Sequence, residues 1–129
     1  PPDAPKNAPE HLILDAAEKA TANDLRSARQ SLQKLGGASL TAGGLVSAGD
    51  IALLVRDAGM ARRFFELAAG AEPKWYRPQL GIASAAMLTF DDDRAMKAYA
   101  AARTNTNNKK LEVMLSGAIK DLQQIRDGR

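Results

Sequence analysis

Residues 45–78 read LVSAGDIALLVRDAGMARRFFELAAGAEPKWYRP, and residues 79–112 follow the same pattern of small and large side chains. At a shift of 34 residues, small residues fall on small residues and Phe65 falls on Tyr99. The matching small residues are Gly49, Ala83 and Gly117, then Ala61 and Ala95, then Ala68 and Ala102. This recurrence is typical of stacked helical hairpins, because each hairpin must fit against the next in the same way.

The length and composition agree with a single all-α domain. The chain has 129 residues, alanine is its dominant apolar residue, and aromatic residues make up 5% of it. Such a composition favours close helix–helix packing over a β-sandwich or barrel. Cysteine is absent, which excludes disulfides, thiolate metal sites and thiol nucleophiles. No apolar run approaches the ~18 residues that a membrane span needs, and no signal peptide is recognised.

The first nine residues differ from the rest of the chain. They contain four prolines, which preclude a helix and predict a linker over residues 1–9. Because the chain lacks an initiator methionine, we expect a mature form or an excised piece of a longer protein. Residues 10–129 are predicted to form one helical repeat domain.

Turn residues divide this domain into seven predicted helices joined by short connections. Asn23 and Asp91 are the predicted N-caps of the second and sixth helices. Gly36-Gly37 ends the second helix, and residues 36–44 are the predicted internal loop. The third helix is expected from Thr41 or Gly44 to Asp57, and the fourth is expected to end at Gly70. The fifth is expected over Lys74–Thr89, the sixth is expected to end at Arg103, and the seventh is expected over Asn108–Arg126. The seven helices are therefore expected to form an antiparallel, right-handed stack.

The repeat resembles the tetratricopeptide repeat, a family in which each unit of 34 residues is a pair of antiparallel helices. The second unit carries Gly49, Ala61, Phe65, Ala68 and Pro73, and the third carries Ala83, Ala95, Tyr99 and Ala102. A first unit matches less well at an offset of 33, and the last helix is interpreted as a cap. The resemblance implies a right-handed α-solenoid of about three units plus the C-terminal capping helix. It departs from the family at the first-helix position that is usually tryptophan, which is Leu45 in the second unit and Gln79 in the third.

In the family that the repeat resembles, partners lie on the concave face formed by the first helix of each unit. The corresponding positions imply a partner-binding groove of Val46, Asp50, Leu53, Arg77, Leu80, Ser84 and Met87. Spacings of three and four place each set on one helical face. The mostly apolar lining suits an extended or helical peptide, with Arg77 pairing at one end and Asp50 at the other. The basic pattern that clamps C-terminal carboxylates in some family members is missing.

Catalytic, metal and cofactor sites are not predicted. His11 is the only histidine and is expected on the surface of a first helical turn, without a second ligand. Asp91-Asp92-Asp93 is interpreted as a helix start, and Gly43-Gly44 as a loop, because no phosphate-loop lysine follows. Serine nucleophiles lack a base.

Two further clusters allow alternative interpretations. Trp75-Tyr76-Arg77-Pro78 is expected to pack between the second and third units, the alternative being an exposed hot spot. The doublets Arg62-Arg63 and Lys109-Lys110 are the densest basic sites in a chain with a net charge of +3.

The sequence therefore predicts a protein–protein adaptor, with no enzymatic activity, that binds a peptide or helix of another protein. We expect it to act in a bacterial secretion, pilus or envelope assembly machine, and in the periplasm or tethered to a membrane rather than in the cytoplasm. One alternative is a specialised-secretion chaperone, although such chaperones are usually acidic. The other is a nucleic-acid-binding helical domain that uses the basic doublets.

Overall fold

The computed structural model describes residues 9–35 and 40–128, and these form seven α-helices and no strand. The predicted linker lies outside the described residues except for Pro9, and so does Gly36-Gly37. The helices are α1 (Pro9–Thr21), α2 (Leu25–Gln33), α3 (Ala42–Leu54), α4 (Ala58–Ala71), α5 (Arg77–Leu88), α6 (Asp92–Asn105) and α7 (Lys109–Asp127).

The start of α3 corrects the prediction that residues 36–44 form one loop. Gly43 and Gly44 lie in the first turn of α3, because the Thr41 hydroxyl accepts a hydrogen bond from the Gly44 amide and caps the helix. The fifth helix also begins later than predicted, at Arg77, because Lys74 and Trp75 belong to the preceding turn and Pro78 occupies the first turn of the helix.

The turn inside each hairpin has the same construction in all three units. Asp24, Asp57 and Asp91 cap the second helix of each pair, each carboxylate accepting a hydrogen bond from the amide three residues later. The preceding residues Asn23, Arg56 and Phe90 have φ values of 63°, 61° and 57°. Asp91 is thus confirmed as a cap, whereas Asn23 is not, since it occupies the left-handed position just before the cap.

Helices within a pair are antiparallel neighbours, and the pairs stack in chain order. Helices α1, α3 and α5 contact one another in succession, whereas no Cα atom of one second helix lies within 8 Å of the next second helix in the described part of the chain. Because the first helices lie closer together than the second helices, the stack curves with the first helices on its inner side. This arrangement confirms the predicted all-α solenoid of hairpins followed by a capping helix.

The repeating small residues lie where helices cross. Gly49, Ala61, Ala68, Ala83, Ala95 and Ala102 are all buried, as predicted. Phe65 is fully buried between two glycines, since a Cβ atom on Gly49 would lie 2.7 Å from its ring and one on Gly81 would lie closer still. Tyr99 is half-buried against a second cluster that joins α5, α6 and α7. Gly117 is exposed, and a Cβ atom there would lie more than 4 Å from every residue outside α7 that the structure describes.

Polar contacts join the first hairpin and tie it to the second. The Ser31 hydroxyl on α2 donates a hydrogen bond to the Asp15 carboxylate on α1. This bond, helped by Lys19, lowers the pKa of Asp15 below its usual value of 3.8. Arg29 on α2 donates to the Val55 carbonyl at 3.0 Å and pairs with Asp57 at 3.4 Å, which joins α2 to the turn of the second hairpin.

Candidate functional site: the inner face of the stack

The inner face of α5 carries the residues predicted for it. Arg77, Leu80, Ser84 and Met87 lie along one side of the helix, the side on which Arg77 reaches α3. Ser84 is exposed and Met87 is 39% exposed, while Arg77 and Leu80 are half-buried. A row of one cation, two apolar residues and a hydroxyl is therefore available on this helix.

The exposed row of α3 differs from the predicted one at two of its three residues. Val46 is buried, and Leu53 is half-buried against the main core. The exposed row instead passes through Ser47 and Leu54, the latter 64% exposed, with half-buried Asp50 between them. Sequence reasoning missed Leu54 because the spacing of three and four fits both rows on an apolar helix, and only tertiary packing selects between them.

Asp50 and Arg77 meet each other across the inner face instead of marking its two ends. One guanidinium nitrogen of Arg77 donates to both carboxylate oxygens of Asp50, at 2.7 and 2.8 Å. The two side chains are 33% and 42% exposed, so the pair adds about 1 kcal/mol or less to stability. The pair joins α3 to α5, and the expectation that each side chain also binds a group of the partner stays a prediction.

The capping helix leaves this face open. Helix α7 packs against α6, and none of the other described helices comes within 8 Å of it, Cα to Cα. The side chains of Ser84 and Met87 are consequently not covered by the C-terminal end of the chain. The inner face, as the term is used below, consists of three apolar and four polar residues on α3 and α5, namely Ser47, Asp50, Leu54, Arg77, Leu80, Ser84 and Met87.

The remaining candidates have structural explanations. His11 is exposed on the first turn of α1. Asp91 caps α6, and Asp93 pairs with Arg126 of α7 at 2.8 Å, which raises the pKa of that guanidinium further. Among the residues that the structure describes, no group of three His, Asp or Glu side chains could hold a metal ion.

The aromatic cluster packs against the main core, and the two basic doublets lie apart from each other. Trp75 is half-buried against the main core, which agrees with the packing interpretation. Arg62 pairs with Glu66 at 3.5 Å, and Lys109 pairs with Glu112 at 3.6 Å. Their helices, α4 and α7, do not contact each other in the described chain, so the doublets do not form one basic patch. None of the described helices is both long and apolar enough to cross a bilayer.

Comparison with known proteins supports the fold. No protein-family model matches the chain, and no curated protein does. Among solved structures, the chain is similar to PcrH in complex with the chaperone-binding region of PopD. The TM-score is 0.70 at 15% sequence identity, and the match covers 91% of this chain and 92% of PcrH. The protein therefore has the fold of an all-α helical-repeat solenoid, shared over nearly its full length with PcrH.

Proposed function

We propose that this protein is a binding scaffold whose inner face holds an extended segment of a partner protein. The observation that carries the proposal is the uncovered row on α5, where Ser84 and Met87 are exposed beside half-buried Leu80. An open apolar surface next to a fixed ion pair suits a peptide that places apolar side chains on it and polar backbone toward Asp50 and Arg77.

The likeness to PcrH supports a chaperone form of this function. PcrH was solved in complex with the chaperone-binding region of PopD, so a stack of the same fold is compatible with holding part of another chain. The net charge of +3 differs from the acidic charge expected of specialised-secretion chaperones. Action in a bacterial secretion or envelope assembly machine, in the periplasm or tethered to a membrane, remains a prediction from the sequence.

Met87→Glu tests the inner face. The change puts a charge into an apolar contact surface, so we expect partner capture by the tagged protein to fall at least tenfold. Helicity and melting temperature should stay close to wild type, because the side chain is already 39% exposed. A pull-down and circular dichroism on the same preparations measure both.

The matched control is Val113→Glu, the same kind of change at a 73% exposed residue of α7. We expect it to leave both capture and melting unchanged. If Met87→Glu unfolds the protein, the surface is not open. If both variants fold and bind like wild type, the partner site lies elsewhere.

A further inference from the structure

A second concave surface lies on the outer side of the stack, opposite the inner face. Its floor is α5 and its walls are α4 and α6, whose Cα atoms lie more than 8 Å apart in the described chain. Ile82 lies on the floor, about 140–160° around the α-helix from every member of the inner row, and Gln79 lies nearer to that row, about 80–100° from Leu80 and Met87. We call this surface the outer furrow.

The furrow runs the length of α5. One cavity of about 570 Å³ lies over Gln79 and Ile82, and a smaller one of about 160 Å³ reaches Thr89. The two share Asp91 and Arg94, so they lie next to each other along α5. Much of its lining is small, with Ala98 and Ala101 on one wall and Gly59 on the other, which lets a bound backbone approach closely.

The three carboxylates that line the larger cavity are all paired, whereas one of its two cations is not paired within the described chain. Glu66 pairs with Arg62, Asp93 pairs with Arg126, and the Asp91 carboxylate accepts from the Arg94 amide and pairs with the Arg94 side chain. Lys97 has no ion-pair partner among the residues described, and Arg94 uses only its Nε toward Asp91, at 3.3 Å. The side-chain amide of Gln79 makes no hydrogen bond within that same part of the chain.

We propose that the outer furrow binds an extended peptide segment of four to five residues that carries an acidic side chain. The floor runs from Gln79 to Thr89, eleven residues and ten steps along the chain, or about 15 Å at 1.5 Å per helical step. An extended chain covers that length in four to five residues at about 3.3 Å each. The acidic side chain would meet Lys97, the free guanidinium nitrogens of Arg94 and the Gln79 amide, while small or apolar side chains cover Ile82 and Ala101. This site is independent of the inner face.

A display library of random seven-residue peptides tests the proposal. We expect selection on the wild-type protein to yield a class of acidic peptides, whose synthetic fluorescent versions bind in an anisotropy assay. Lys97→Glu should weaken this class at least tenfold, because a charged hydrogen bond is replaced by repulsion. Lys120→Glu, which makes the same charge change on exposed α7, and Met87→Glu on the inner face should leave its affinity within twofold.

The proposal is tested by comparing how the three variants change the affinity of the selected peptides. If no selected peptide is weakened by Lys97→Glu while resisting Lys120→Glu, the outer furrow is not such a site. If the acidic peptides are weakened equally by both lysine variants, they follow net charge and the proposal fails. If only Met87→Glu weakens the selected peptides, the inner face is the sole binding surface and the proposal also fails.

Discussion

Phe65→Ala should lower the free energy of unfolding by about 3–5 kcal/mol, the range for removal of a fully buried aromatic side chain. Phe65 is 0% exposed and its ring fills the space between Gly49 of α3 and Gly81 of α5. Domains of this size are stable by only about 5–15 kcal/mol, so the variant should be close to unfolding. Denaturant midpoints measured by circular dichroism give the difference.

Lys97→Ala is the control for Phe65→Ala. Lys97 is exposed on α6 and makes no ion pair with any described residue, so its removal should change stability by less than about 0.5 kcal/mol. Equal shifts in the two variants would mean that the buried and exposed faces have been assigned wrongly.

Gly81→Ala should destabilise the protein by about 1–3 kcal/mol through overpacking. This is the opposite of the usual effect, since alanine is a better helix former than glycine by about 0.5–1 kcal/mol. The reason is that the new Cβ would overlap the Phe65 ring. Thermal and denaturant unfolding should therefore show a lower midpoint.

Two further variants test whether overlap with the Phe65 ring causes the loss of stability in Gly81→Ala. Gly117→Ala makes the same change in α7, where a Cβ meets none of the described residues outside that helix within 4 Å, and should stabilise by about 0.5–1 kcal/mol. In a Phe65→Leu background, Gly81→Ala should lose most of its cost, because the two residues are in contact and their effects are coupled. A destabilising Gly117→Ala, or an unchanged cost of Gly81→Ala in that background, would contradict this packing account.

The repeat predicted most of the fold because close helix crossings need small residues at fixed intervals. Gly81 was not predicted, since the residue 34 positions earlier is Ser47, which is exposed. Gly117 matched the repeat but is exposed on α7, the last of the described helices. The capping carboxylates at 24, 57 and 91 did recur at intervals of 33 and 34, so the common turn was available in the sequence.

The inner face was predicted only in part. On α5 the residues of the predicted row share one side, but on α3 Val46 and Leu53 pack toward the core and Leu54 is exposed. The Asp50–Arg77 pair joins residues 27 apart, and its formation depends on how α3 and α5 are aligned. Sequence spacing within one helix does not determine that alignment.

The most direct measurement of the central claim is site-specific photo-cross-linking to the natural partner. A photoreactive phenylalanine derivative is placed singly at Ser47 and Ser84 on the inner face and at Ser116 on α7, all of which are exposed. Irradiation of cells that make the protein should give a partner adduct from Ser47 and Ser84 and none from Ser116. Adducts from Ser116, with none from the two inner-face positions, would contradict the proposal that the inner face holds the partner.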